Sequence, residues 1–214
     1  MEIVCLHGMG RTRYSMAQLA RHLRREGHRV HLFGYQRRAS LADAARRLAA
    51  FLAGRGLAGG GEHLGFVGHS AGGVLLRYLA AELPQFQAGR SVAMGSPIAG
   101  SVIAAHYARH WAMRVACGPI LQSLHPDEVG RLPPPPCLLG AIAGTTESAL
   151  LPASALLRPV ARGRASDSTV LVEETRSEGL TDWIAVPVTH TFLPSSRLVH
   201  SLVSHYLAHG SFVR

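Results

Sequence analysis

The sequence predicts a single α/β domain in which a six-stranded, mostly parallel β-sheet carries helices on both faces. Short apolar runs alternate with segments whose apolar residues recur at helical spacing, which is the pattern of βαβ units. The runs show no alternation of apolar and polar residues, so we expect strands buried on both faces. The 214 residues suit one domain, and no internal repeat or interdomain linker divides them.

The apolar runs predict the strands. The first run, EIVCLH, is apolar and β-branched before Gly8 ends it, and the third, LGFVG, leads directly into a glycine-rich turn. In chain order the predicted strands are Glu2–His7, Arg29–Phe33, Leu64–Gly68, Ser91–Met94, Leu138–Ala143 and Trp183–Val188.

Four helices are predicted between and after these strands. Met16, Leu19 and Leu23 share one face of the first helix, and Gly27 ends it. Ser40 is a candidate N-cap for the second helix, and Pro84 follows the third. In chain order the predicted helices are Tyr14–Glu26, Leu41–Leu52, Ala71–Leu83 and Arg197–His209.

Two longer stretches are interpreted as insertions in the same domain. Ser96–Pro136 follows the fourth strand and contains a possible helix over Ser101–Val115 before a run of four prolines. We expect either a cap or lid that lines an acyl pocket or an ordinary packed helix pair. The second stretch, Thr145–Arg164, is loop-like with helical fragments.

Ser70 is the candidate nucleophile. It is the central residue of Gly68-His69-Ser70-Ala71-Gly72, which follows a predicted strand and opens a predicted helix. This is the strand and helix context that a G-x-S-x-G nucleophile elbow requires, because glycines give the strained turn room and the serine then stands above the sheet. The backbone N–H groups of Ala71 and of Met9, in the His7–Gly10 loop after the first strand, are candidate oxyanion donors.

His190 is the candidate base, because it follows the last strand at its carboxyl end, where open parallel sheets place their sites. Asp167 and Glu147 both follow the fifth strand and remain alternatives for the acid, in the chain order Ser, acid, His. Asp182 precedes the last strand, so it should lie at the opposite edge of the sheet, about 20 Å from His190.

The other histidines are interpreted mainly as packing residues. His106 and His110 have the i, i+4 spacing of a metal pair but lack the Glu of an HExxH motif, so no metal site and no cofactor is expected. His7 and His69 flank the predicted loops of the site. Together with Ile98 and Trp111 of the cap stretch, they are candidates for lining the substrate pocket.

The chain resembles the α/β-hydrolase superfamily, most closely its small bacterial lipase and esterase members, over nearly its whole length. The similarity rests on these segments: LHGMG at Leu6–Gly10, GHSAGG at Gly68–Gly73, GSPIAGS at Gly95–Ser101, AGT at Ala143–Thr145, DSTV at Asp167–Val170 and PVTHT at Pro187–Thr191. The resemblance implies the α/β-hydrolase fold without its first two strands and a strand order of 4-3-5-6-7-8 in family labels. It also implies Asp167 as the acid, although Ser168 replaces the glycine usual in that motif.

The expected activity is hydrolysis of a small acyl ester or lipid by a serine esterase or lipase with a Ser70–His190–Asp167 triad. A thioesterase, an amidase, an acyltransferase and a non-catalytic binding module on the same scaffold remain alternatives. The net charge of +9 comes from arginines scattered along the chain without a nucleic-acid-binding motif, so no nucleic-acid partner is expected. Without a signal peptide or membrane span in the sequence, we expect a cytoplasmic protein with no integral membrane association; the oligomeric state stays open.

Overall fold

One β-sheet runs through the computed structural model of the chain, which describes residues 1–36, 39–148 and 152–213. Six strands are formed by the described residues, and their bounds lie within a few residues of the predicted ones. They are β1 (Glu2–Leu6), β2 (Arg29–Phe33), β3 (Leu64–His69), β4 (Ala88–Met94), β5 (Cys137–Gly144) and β6 (Asp182–Val186).

The strands are ordered β2-β1-β3-β4-β5-β6, and all neighbouring strands are parallel. This confirms the predicted α/β-hydrolase topology and the strand order that the resemblance implied. The chain moves from β1 outwards to β2 and then returns to β3 on the other side of β1. The carboxyl ends of β1 and β3 therefore flank a topological switch point, where open α/β sheets form their sites.

Both faces of the sheet are covered by helices because both faces of its strands are apolar. Alternate residues of β1 point to opposite layers: Ile3 and Cys5 belong to one apolar cluster, and Val4 and Leu6 to the other. The helices that cover the two faces are α1 (Ala17–Arg25), α2 (Leu41–Ala53), α3 (Ala71–Glu82) and α9 (Arg197–His209). Helices α1 and α9 pack on the first layer, and α2 and α3 on the second.

The start of α1 differs from the prediction. The residues Arg13–Met16 form a 3₁₀ turn, and the α-helix begins only at Ala17. The start of α2 agrees, since the Ser40 side chain accepts a hydrogen bond from the Asp43 amide as an N-cap. The last strand ends at Val186, two residues earlier than predicted, because the chain turns there: the Val188 amide donates back to the Val186 carbonyl at 2.8 Å.

The cap stretch contains short helices: α4 (Val102–Tyr107), α5 (Trp111–Cys117), α6 (Ile120–Ser123) and α7 (Pro126–Gly130). The helix predicted over Ser101–Val115 is therefore interrupted before Trp111. Helix α4 fully buries Ala104, whereas Met113 and Cys117 of α5 are only partly buried against the same apolar cluster. Apolar residues of α4, α6 and α7 join the same cluster as α2 and α3.

The stretch after β5 is more regular than the loop with helical fragments that the sequence predicts. It forms a ten-residue helix, α8 (Pro152–Ala161), although it contains Pro159. Leu157 and Ala161 pack against Leu171, and this tertiary contact outweighs the poor helical fit of an interior proline. Residues 149–151 of the predicted insertion lie outside the described residues. In the described part of the chain, none of the helices is long and apolar enough to cross a bilayer.

Candidate active site

Ser70 occupies a strained turn between β3 and α3. Its φ of 56° and ψ of −125° are unusual for a residue with a side chain, and such strain costs about 1–3 kcal/mol. The turn leaves no space for side chains beside it: a Cβ on Gly68 would lie 2.6 Å from the Gly73 nitrogen, and one on Gly72 would lie 2.4 Å from the Leu6 oxygen. This crowding explains the glycines of the motif. Ser70 itself is partly exposed.

Asp167 and His190 form a buried pair beyond the carboxyl ends of β5 and β6. The Nδ1 atom of His190 lies 2.7 Å from Oδ2 of Asp167, and the side chains are 8% and 1% exposed. With a carboxylate at Nδ1, that nitrogen carries the proton and donates it, so Nε2 is the nitrogen that can accept another. The pair therefore matches a general base, His190, whose tautomer is fixed by a carboxylate, that of Asp167.

The Asp167 carboxylate is held by its own turn. Its Oδ1 atom accepts hydrogen bonds from the amides of Thr169 and Val170, at 3.0 and 2.8 Å. Ser168, which stands in place of a motif glycine, adopts a φ of 84°. Its hydroxyl accepts a hydrogen bond from the Ser148 amide at 2.7 Å, and this contact offsets part of the backbone strain.

The end of β4 links Ser70 to the buried pair. The Ser70 amide donates to the Met94 carbonyl at 2.9 Å, and Gly95 follows Met94 directly. A Cβ on Gly95 would lie 3.0 Å from Asp167 Oδ2 and 3.1 Å from His190 Nδ1. Gly95 thus lets the backbone next to Ser70 approach the pair closely.

The other acidic candidates lie elsewhere. Glu147 accepts a hydrogen bond from the Ser166 hydroxyl, beside the Asp167 turn. Asp182 begins β6, and its Oδ2 accepts a hydrogen bond from the Phe212 amide at 2.7 Å, which agrees with the predicted position at the opposite edge. Of the three acids considered, the structure brings only Asp167 against His190.

His7 supports the loop that carries the proposed oxyanion donor Met9. Its Nδ1–H donates to the Gly8 carbonyl at 2.9 Å, and its Nε2 accepts from the Tyr35 amide at 3.3 Å, so one neutral tautomer satisfies both contacts. Burial lowers the pKa of His7, which keeps the ring neutral. A Cβ on Gly8 would lie 2.9 Å from Ser70 Cβ, so the loop passes directly against the serine.

The second proposed donor, Ala71, is the first residue of α3 and is fully buried. Amides in the first turn of a helix have no partner within the helix, and the helix dipole places partial positive charge there. The amide of Ala71 and the Met9 loop therefore both lie next to Ser70. As donors they remain a proposal.

The four predicted pocket residues occupy different environments. His7 and His69 are buried beside Ser70, as expected for packing residues. Ile98 is fully enclosed in the cluster shared with α2 and α3, whereas Trp111 is 72% exposed on α5. Their part in binding substrate remains a prediction.

His69 packs against His190. The ring centroids are 4.7 Å apart, and Nε2 of His69 lies 3.0 Å from the His190 carbonyl oxygen, to which it donates. Burial and the neighbouring His190 hold the pKa of His69 well below its ordinary value, so the ring is uncharged. His69 therefore supports the backbone of the proposed base.

A cavity of about 480 Å³ lies beside the turn of Asp167. Thr145, Glu147, Leu157, Arg164 and Ser168 are among its lining residues. Within the described ranges, no group of three or more His, Cys, Asp or Glu side chains is arranged to hold a metal ion.

Sequence reasoning did not identify Tyr35 as part of the site. Its hydroxyl donates to the His7 carbonyl at 2.7 Å, and its ring stacks on His7 at 4.2 Å. Tyr35 follows β2 in a stretch with no motif, so only the tertiary structure reveals the contact. For Gly95 the sequence did contain a signal, because this glycine is the first residue of the GSPIAGS segment.

No protein-family model matches the chain, and no curated protein is significantly similar to it. Solved structures do match. A mature lipase of Bacillus licheniformis gives a TM-score of 0.77 at 18% identity, over 96% of this chain and 91% of that one. A thioesterase from the prodiginine biosynthetic pathway of Streptomyces coelicolor gives 0.58 at 18% identity, over 97% and 89%. An extracellular α/β-hydrolase from a Paenibacillus species gives 0.57 at 14% identity, over 100% of both chains.

Proposed function

Because the chain has the α/β-hydrolase fold, we propose that it is a serine hydrolase that cleaves carboxylic esters. The observation that carries the proposal is the buried Asp167–His190 pair, which Gly95 and Met94 connect to the strained turn of Ser70. Ser70 is the nucleophile, His190 the general base, and Asp167 the acid that orients the imidazole.

In the acylation step, Ser70 Oγ attacks the ester carbonyl and passes its proton to His190 Nε2. The imidazolium that forms is stabilised by the Asp167 carboxylate at Nδ1. The carbonyl electrons move onto the oxygen, and the amides of Met9 and Ala71 donate to this oxyanion. Collapse of the intermediate expels the alcohol, which takes the proton back from Nε2.

Deacylation repeats the sequence with water. His190 takes a proton from the water as it attacks the acyl-enzyme, and the proton then returns to Ser70 as the free acid leaves. Because Asp167 is buried and bonded to His190, the imidazole keeps one tautomer through both halves of the reaction.

A thioester is the second candidate substrate, because one of the structures with the same fold is a thioesterase. The same triad cleaves either bond, and the leaving group decides the rate. Matched oxygen esters, thioesters and amides of one acyl group, assayed in parallel, distinguish these activities. A larger kcat/KM for the thioester than for an ester of equal acyl length would favour the second candidate.

The cap over residues 96–136 is proposed to line the acyl side of the site. Trp111 offers a large exposed apolar surface on α5 for this role. A Trp111→Ala variant should then shift the preference along a series of acyl chain lengths. An unchanged preference would remove Trp111 from the acyl pocket.

The direct test of hydrolysis is turnover of an activated acyl ester by the wild type and by Ser70→Ala. We expect kcat to fall by about 10⁴-fold or more, with circular dichroism unchanged. Near-wild-type turnover in the variant would refute the proposal. A wild type inert toward all esters, thioesters and amides would instead favour a non-catalytic binding module.

A further inference from the structure

A cleft of about 250 Å³ opens between the start of α1 and the loop that follows His190. On one side it is lined by Arg11 and Tyr14, and on the other by Thr191 and Phe192. His69, the neighbour of Ser70, also lines it. The cleft is therefore lined by the residue before the proposed nucleophile and by the residue after the proposed base.

Arg11 enters the cleft because of the turn that ends the His7–Gly10 loop, which is called the oxyanion loop below. The Arg11 amide donates to the Gly8 carbonyl at 3.3 Å, and Gly10 takes a φ of 72° within this turn. The chain reverses here, so the residue directly after the oxyanion loop contributes to the cleft wall. Its position is thus coupled to that of Met9.

Arg11 is partly buried and has no ion pair with any of the described residues. None of the residues that line the cleft is acidic. A guanidinium is always charged, and a partly desolvated cation without a counter-charge is unfavourable. Because His69 is uncharged, Arg11 supplies the positive charge of the cleft.

We infer that this cleft binds the leaving group of the substrate and that Arg11 selects a leaving group carrying a carboxylate or phosphate. The inference rests on the proposed function. His190 must return its proton to the leaving oxygen, so the leaving group departs on the His190 side, where Thr191 and Phe192 follow directly. Phe192 is 58% exposed and offers an apolar surface between the ester and the anion.

The test compares two butyrate esters whose leaving groups differ in charge, 3-carboxyphenyl butyrate and 3-carbamoylphenyl butyrate. The measured quantity is the kcat/KM of the carboxyphenyl ester divided by that of the carbamoylphenyl ester. In Arg11→Gln this ratio should fall by about 10–100-fold, the worth of a hydrogen bond to a charged group. Arg11→Lys should retain part of the preference because it retains the charge.

Arg21→Gln is the matched control, because Arg21 is an exposed arginine of α1 outside the cleft. It removes the same net charge and should leave the ratio as in the wild type. An equal fall in Arg21→Gln would mean that only the overall charge of the protein matters, and this would overturn the inference.

A second pair places the charge on the acyl side: 4-nitrophenyl hydrogen glutarate and 4-nitrophenyl pentanoate. Arg11→Gln should change the ratio of their kcat/KM values less than it changes the ratio for the two butyrate esters. A larger change would overturn the assignment of the cleft to the leaving group. If hydrolysis depends on Ser70 but Arg11→Gln leaves both ratios unchanged, the inference is overturned while the proposed function stands. If no ester is hydrolysed in a Ser70-dependent way, the proposed function fails and the inference fails with it.

Discussion

Asp167 holds His190 at two points: its carboxylate meets the imidazole Nδ1 at 2.7 Å, and its carbonyl oxygen accepts the His190 amide at 2.9 Å. The connection that follows β5 and the segment that follows β6 are thereby joined through this residue pair. Ring and backbone of His190 are both positioned by Asp167, so the orientation of the imidazole is a property of the fold.

The first prediction concerns this pair. Asp167→Asn keeps the size of the side chain, but its one oxygen is needed to accept the Thr169 and Val170 amides. The NH2 group then faces His190 Nδ1, so the imidazole loses both its acceptor for Nδ1–H and the negative charge that stabilises its charged form. We expect kcat on an activated ester to fall by roughly 10³–10⁴-fold. Glu147→Gln is the control, because Glu147 bonds Ser166 instead of His190, and it should stay within about threefold of the wild type. The reverse ranking of the two variants would make Glu147 the acid.

The second prediction concerns Gly95. Alanine at its φ of 54° is strained, and its Cβ would lie 2.6 Å from Leu193 Cδ1 as well as close to Asp167 and His190. We expect Gly95→Ala to lower stability by about 1–3 kcal/mol and kcat by at least about tenfold. Urea unfolding and ester kinetics measure the two effects.

Gly179→Ala provides the comparison for Gly95. Gly179 has a φ of 83°, but a Cβ there would meet nothing within 4 Å. This variant should lose about 1–2 kcal/mol from backbone strain while kcat is retained. If both variants have the same kcat, the contact of Gly95 with the pair has no catalytic consequence.

The third prediction concerns Tyr35. Its buried hydroxyl bonds the His7 carbonyl, so Tyr35→Phe leaves that carbonyl without this donor and should cost about 1–3 kcal/mol of unfolding free energy. Tyr107→Phe removes a similar bond, to the Leu156 carbonyl, at an exposed position and should cost less than about 0.5 kcal/mol. Chemical denaturation of both variants measures the two losses of unfolding free energy. Equal losses would argue against a special role for the Tyr35–His7 contact.

The fourth prediction concerns the pH dependence of stability. Burial raises the pKa of Glu174 from 4.5 to about 7, although its carboxylate accepts hydrogen bonds from the Val102 and Leu171 amides. The folded protein therefore holds a proton that the unfolded chain releases. The stabilisation is complete below about pH 4.5 and is lost as the pH rises through about 7.

The difference between these two pKa values corresponds to about 3 kcal/mol. The unfolding free energy of the wild type relative to Glu174→Gln should fall by an amount of this order between about pH 4.5 and pH 8. Unfolding curves measured across this pH range test whether the difference in unfolding free energy falls as the pH rises. A difference that rises with pH would show that the hydrogen bonds to the carboxylate outweigh its desolvation.

The sheet and the turn of Ser70 were predictable because local patterns determine them. Apolar runs form strands, and a serine between crowded glycines after a strand forms an elbow. The choice between Asp167 and Glu147 was not open to reasoning from the residues alone, since both follow β5. The resemblance to the family favoured Asp167, and the structure places that residue against His190.

The contacts of Tyr35 and Arg11 were beyond sequence reasoning for a different reason. Each depends on how one loop packs against another, and neither residue lies in a recurring motif. Helix α8 illustrates the same limit, because packing of Leu157 and Ala161 on Leu171 sustains a helix that Pro159 argues against.

The central claim is that Ser70 is an activated nucleophile. It is tested most directly by treating the protein with a fluorophosphonate and locating the adduct by intact-protein and peptide mass spectrometry. We predict a single phosphonate per chain, on Ser70, absent from Ser70→Ala and formed more slowly in Asp167→Asn. A wild type that remains unlabelled, or a label that persists in Ser70→Ala, would contradict the account.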